Sequence, residues 1–160
     1  MMGPMDDGHS ILLIRHAKAG SRSTWDGDDD SQRPLTPKGQ RQAEALAARW
    51  HDRVTAVQSS PFLRCVETIT PLAARVGVEI EVLPMLAEGG YWPSVLEHLE
   101  ATTASIAVCT HGDVLGDVVR ALERRSVPIT GYGGEKACVW ELTVVAHEIR
   151  AARHHAAPEA

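Results

Sequence analysis

The sequence predicts a three-layer α/β/α sandwich around a central, mostly parallel sheet. Three observations carry this. Short apolar runs of strand length alternate with longer stretches whose apolar residues recur at helical spacing. Cap-plus-proline pairs stand at the heads of two of those stretches. The first run is apolar without a break, as a strand covered on both faces is.

That first run spans residues 10–15, Ser-Ile-Leu-Leu-Ile-Arg. Residues 16–34 are polar, with Gly, Ser and Asp throughout, and predict a long loop of the functional or mobile kind. Thr36-Pro37 opens a helix, with Ala43, Leu46, Ala47 and Trp50 as its apolar stripe. Val54 to Gln58 predicts a second strand. Ser60-Pro61 repeats the capping signal, and Phe62, Val66, Ile69, Leu72, Ala73 and Val76 form the next helical face, closed by Gly77. Pro71 falls inside that face and predicts a kink or a split. Val78, Ile80 and Val82 alternate as a half-buried strand does. Residues 94–102 predict a helix, 105–109 a strand, and Val114, Leu115, Val118, Val119 and Leu122 another helix. A Gly-rich loop at 131–134 precedes a β-rich stretch at 136–145, and 147–153 predicts a return strand. The domain organisation expected is a tail at 1–9, one domain at 10–153 and a second tail at 154–160.

Composition narrows the function. At 160 residues the chain fits one domain of ordinary size. Its 44% apolar and 23% charged residues exclude disorder over the whole length. A net charge of −5 argues against a nucleic-acid coat or an anionic-membrane binder. No apolar run spans a bilayer, and residues 1–10 lack the basic and apolar halves of a secretion signal. Cys65, Cys109 and Cys138 are odd in number, far apart and without a C-x-x-C pair, which favours a reducing cytoplasm over a disulfide framework or a zinc knuckle.

Two segments share one feature. Leu13-Ile14-Arg15-His16 and Val108-Cys109-Thr110-His111-Gly112 each end an apolar strand in a histidine. If both strands are parallel and central, both imidazoles emerge at the same edge of the sheet, where open α/β sheets bind ligands. A third segment, Ser59-Ser60-Pro61-Phe62-Leu63-Arg64, leads from a strand into a helix N-terminus. Such ends hold anions, and the fork of Arg64 matches phosphate oxygens.

Taken in order and separation, Arg15-His16-Ala17, Ser59-Ser60-Pro61-Phe62-Leu63-Arg64 and Thr110-His111-Gly112 resemble the histidine phosphatase (phosphoglycerate-mutase-like) superfamily. The short chain and the run Arg15-His16-Ala17-Lys18-Ala19 are most similar to SixA-type phosphohistidine phosphatases, and also to the phosphatase domain fused to some Nudix hydrolases. The resemblance implies that His16 is the nucleophile, becoming phosphohistidine, and that Arg15, Arg64 and His111 surround the phosphoryl group. It places Glu88 where the family supplies a proton donor. No cofactor and no metal are expected, because fixed cations neutralise the phosphate. Arg22 stands where many members have Asn, and is a candidate extra phosphate contact, as is Lys18. Ala17 replaces the usual Gly, which SixA-like members tolerate.

The implied substrate is a phosphohistidine carrier protein. Alternatives are a nucleotide or other small phosphate ester, which Lys18, Arg22 and Arg33 would clamp, and a non-catalytic phosphate-binding module. Asp26, Asp28 and Asp30 have calcium-loop spacing, but Ser31 and Pro37 occupy the required Gly and Glu positions, so a solvated acidic loop is expected. His154 and His155 are read as tail residues, Cys65 and Cys109 as core. Tyr91 and Trp92 either line the site or pack.

Overall fold

The computed structural model describes residues 8–160. Seven strands form one sheet in the order β3-β2-β4-β1-β6-β7-β5. They are β1 (His9–Arg15), β2 (Ala56–Ser59), β3 (Ile80–Val82), β4 (Ile106–Thr110), β5 (Ile129–Thr130), β6 (Val139–Val145) and β7 (Glu148–His155). Only β6 runs against the rest: it is antiparallel to both β1 and β7, while the other four pairings are parallel. The three-layer sandwich with a mostly parallel sheet is therefore the fold.

Strand alternation divides the core. Ile11 and Leu13 of β1, with Ile106 and Val108 of β4, face α3 (Trp92–Glu100) and α4 (Gly112–Arg124). Leu12 and Ile14, with Ala107 and Cys109, face α1 (Pro37–Trp50) and α2 (Leu63–Val76). Side chains of period two thus build two separate cores, and an unbroken apolar run is what such a strand requires. Each buried leucine here would cost about 2–5 kcal/mol if truncated to Ala.

The α1 cap is as expected: Thr36 accepts from the Gly39 N–H at 3.1 Å, with Pro37 at the first helical position. Gly77 closes α2 at φ +85°, the left-handed conformation that favours glycine. Four expectations need correction. Ser60-Pro61 does not cap α2, which begins at Leu63; the Ser60 hydroxyl accepts from the Phe62 N–H at 3.2 Å instead. Pro71 does not split α2, since a proline removes one ladder bond and the flanking turns continue. The short pair β5 was unforeseen, because two residues leave no periodicity.

The fourth concerns the termini. β7 runs through His155, so His154 and His155 are strand residues held by Glu135 and Glu141, each at 2.9 Å. At the other end the expected tail lies outside the described residues as far as residue 7, and His9 already opens β1.

Candidate active site

Register places the two histidines. β1 and β4 pair in parallel with Arg15 opposite Thr110, so the next residue of each strand, His16 and His111, leaves the sheet at one level. The His16 N–H donates to the Thr110 carbonyl at 3.1 Å, and the ring centroids lie 5.4 Å apart. β2 pairs with β4 through Ser59 and Cys109, which brings Ser60, and then α2 with Arg64, to the same edge.

His16 is 5% exposed. Its Nδ1–H donates to the Ala17 carbonyl at 2.8 Å, which leaves Nε2 as the bare nitrogen. Burial pushes the imidazole down from 6.5 to about 3, helped by His111, Arg64 and Arg15 and opposed by the bond to Ala17. The ring is neutral at any physiological pH. Thr68 locks the following turn: its hydroxyl accepts from the Ala17 N–H at 2.8 Å and donates to the Arg64 carbonyl at 2.6 Å.

Arg15, Arg64 and His111 each carry a buried nitrogen with no partner: Arg15 Nε, Arg64 Nε and His111 Nδ1. Among the described residues these are the only such side-chain atoms. An unpaired buried donor costs about 1–3 kcal/mol, so three around one imidazole call for an anion. The tautomer of His111 fits. Ser60 Oγ accepts from the Phe62 N–H and lies 2.9 Å from His111 Nε2; when its hydrogen goes to that nitrogen, the ring proton sits on Nδ1.

The guanidiniums are held from behind. Arg15 Nη1 donates to the Gly134 carbonyl at 2.6 Å, and its Cζ would lie 2.7 Å from a Cβ on Gly112, so only glycine fits there. Arg64 is fully buried. It donates to the Asp30 carbonyl at 3.0 Å, pairs with the Asp30 carboxylate at 3.3 Å and Glu88 at 3.4 Å, and stacks 4.9 Å from the Phe62 ring.

Arg15, His16 and Arg64 open onto a cavity of about 490 Å³, whose lining also includes Glu88, Lys18 and Arg22. Glu88 accepts two bonds from Arg22 Nη2, at 3.0 and 3.2 Å. A third bond reaches the same carboxylate from Arg64 Nη2 at 3.4 Å. The loop 88–90 is tied down by Asp113, which accepts from the Gly89 N–H at 2.7 Å. The loop after His16 is a closed excursion: Ala19 bridges Leu35, and Thr36 N–H donates to the Lys18 carbonyl at 2.9 Å. Within it Asp30 pairs with Arg33 at 2.9 Å as well as with Arg64, and the hydrogen bond to Arg33 is the main cause holding its carboxyl below the usual range.

The sequence matches the profile of the histidine phosphatase superfamily (branch 1) over residues 11–95, more than half of the chain. The chain belongs to this superfamily. An 8-oxo-(d)GTP phosphatase of Mycolicibacterium smegmatis is 30% identical over 96% of the chain. The chain spans about half the length of that relative. Among solved structures, the protein histidine phosphatase SixA complexed with tungstate superposes with a TM-score of 0.71 at 24% identity, covering 92% of this chain and 94% of that one. A mycobacterial glucosyl-3-phosphoglycerate phosphatase complexed with VO3 gives 0.68 at 16%, covering 92% and 98%. At these identities the two structures share the fold.

For a histidine phosphatase, the sequence named most of the gathered side chains. Arg15, His16, Arg64 and His111 meet; Glu88 pairs with both Arg64 and Arg22; Lys18 lines the cavity with its side chain exposed. Tyr91 is 71% exposed, and Trp92 packs under Arg124 against the α3–α4 core, so neither lines the cavity. Cys65 and Cys109 are core, although Cys65 Sγ also reaches within 3.5 Å of His111 Nε2. Four contributors were missed in those roles. Asp30 was read as solvated, Ser60 as a helix cap and Arg33 only as a clamp for substrate, and Lys136 carried no signal before its loop was seen beside Arg15.

Proposed function

We propose that this chain is a phosphohydrolase that works through a phospho-His16 intermediate. The observation that carries the proposal is the trio of unpartnered buried donors around a neutral, Nδ1-anchored imidazole. His16 Nε2 attacks the phosphorus in line and forms the N–P bond as the bond to the leaving group breaks. Arg15, Arg64 and His111 Nδ1–H hold the three equatorial oxygens. Water then attacks the phosphoimidazole, releasing inorganic phosphate and restoring His16. Fixed cations supply the charge neutralisation that a metal ion supplies elsewhere, each donor worth about 10²–10³ in rate.

Glu88 narrows the donors. With its oxygens accepting from Arg22 and Arg64, it is poorly set to protonate an alkoxide. The favoured leaving groups are therefore those that depart without a strong acid. The imidazole of a phosphohistidine carrier is the first of these, the SixA-like reading. A phosphoanhydride of a nucleotide is the second, favoured by the similarity to the 8-oxo-(d)GTP phosphatase. We assign the chain to the cytoplasm, where its free cysteines stay reduced. Among the described residues no helix is long and apolar enough to cross a membrane.

The test is radiolabelled phosphoramidate in EDTA, with acid-labile label trapped on His16. Turnover that persists in His16→Ala would defeat the mechanism.

A further inference from the structure

The cavity holds more positive charge than one phosphoryl group accounts for. Arg15, Lys18, Arg22, Arg33, Arg64 and Lys136 all line it. The two carboxylates that touch these cations, Asp30 and Glu88, leave four charges, and a phosphoryl dianion takes two. The remainder has a definite place. Arg22, Arg33 and Arg64 have carboxylate partners within 4 Å, whereas among the described residues Arg15, Lys18 and Lys136 form no ion pair. Arg15 belongs to the transferred phosphoryl group. Lys18 and Lys136 are left over.

Backbone geometry fixes both lysines beside the nucleophile. Lys18 follows His16 by two residues, and its carbonyl and amide are pinned by Thr36 and Gln42. Lys136 precedes Ala137, whose N–H bonds the carbonyls of both Arg15 and His16 at 3.1 Å. Both lysines are therefore anchored next to the His16 turn and line the same cavity. Burial and then the charges of Arg15, Arg33, Lys18 and Arg64 push the Lys136 ammonium below its usual value, as expected where cations crowd without a carboxylate.

We propose that Lys18 and Lys136 form a second anion subsite, which takes a phosphate on the leaving group. The preferred donor is then a terminal diphosphate, carried on a nucleotide or free as pyrophosphate. This rests on the phospho-His16 chemistry above and selects among its donors. The step balances: His16 Nε2 bonds to the terminal phosphorus, the bridging P–O bond breaks, and its electron pair stays on the bridging oxygen. That oxygen becomes a terminal oxygen of the departing phosphate, where the lysines meet the charge. Water completes hydrolysis of the phosphoimidazole. No carboxylic acid is needed, which agrees with Glu88 as an acceptor.

The experiment compares kcat/KM for GDP, GMP, pyrophosphate, phosphoramidate and a histidine-phosphorylated carrier protein, in the wild type and in Lys18→Gln, Lys136→Gln and the double variant. GDP is expected to exceed GMP. The GDP-to-phosphoramidate ratio is expected to fall about tenfold for each lysine, the value of one charge-assisted hydrogen bond. Equal use of pyrophosphate and GDP assigns recognition to the diphosphate alone; a preference for GDP adds a contact to the nucleoside. Three results would overturn the subsite: an unchanged ratio in the double variant, a phosphohistidine carrier turned over faster than any diphosphate, or label on His16 from phosphoramidate with none from GDP. Label from no donor at all would overturn the phospho-His16 reading with it.

Discussion

Acid titration of the folded protein tests the electrostatics of His16 directly. Its imidazole is held near 3 in the fold, against 6.5 in an open chain. Well above pH 6.5 both states are neutral there and the stability contribution is complete. Below it the unfolded chain takes up a proton that the folded chain refuses, so stability is lost as pH falls, down to about 3. The slope for one proton approaches about 1.4 kcal/mol per pH unit once pH is below 6.5, so dropping from 6.5 to 4.5 removes about 2 kcal/mol. Urea unfolding at half-unit pH steps, on the wild type and on His16→Gln, isolates this. Glutamine does not titrate, and other groups cancel in the difference. The wild-type curve should be steeper by an amount approaching about 1.4 kcal/mol per unit across that window. Parallel curves would mean that His16 takes a proton in the fold near its ordinary value, and the case for a neutral, desolvated nucleophile would fail.

Further expectations follow from single contacts. Gly112→Ala puts a Cβ 2.7 Å from Arg15 Cζ, so kcat/KM should fall about 10²-fold while circular dichroism shows an unchanged fold. Ser60→Ala removes the group that sets the His111 tautomer; a loss of about tenfold in kcat/KM is expected, and Ser60→Thr should recover part of it in the same assay. Thr36→Ala deletes the α1 cap and should lower unfolding free energy by about 1 kcal/mol, measured in urea, with turnover unaffected. Orthophosphate at a hundred times its Kd should stabilise the wild type by about 2.7 kcal/mol in thermal unfolding, and Arg64→Ala should lose that response.

How far the site was legible depended on how local each cause was. Ile11 to Arg15 and Ile106 to Thr110 are strands of equal reach that pair in register, so a histidine following each had to emerge at one edge. Arg64 was found for a related reason, because its helix starts just beyond β2. The rest was set by partners distant in sequence. Ser60 carries a capping residue's chemistry, yet its hydroxyl is directed by His111, 51 residues away. Asp30 reads as one acid in an acidic loop, and only the buried fork of Arg64 makes it a counter-charge. His154 and His155 read as a tail because they are polar, and only pairing with β6 and with the acids Glu135 and Glu141 carries the return strand past residue 153.

Asp30 and Glu88 also explain how such a cluster of cations survives folding. Buried guanidiniums with no counter-charge would be costly, and Arg64 is fully buried. Two carboxylates, one from the loop after His16 and one from the loop before α3, meet its Nη2, and the Asp30 carbonyl takes Nη1. They leave Nε open, as they leave Arg15 Nε and His111 Nδ1 open. The carboxylates therefore stabilise the cations without filling the donors that a phosphoryl group would need. A site fully neutralised by its own acids would fold more easily and bind phosphate less well. Here the two demands are met by different nitrogens of the same side chain.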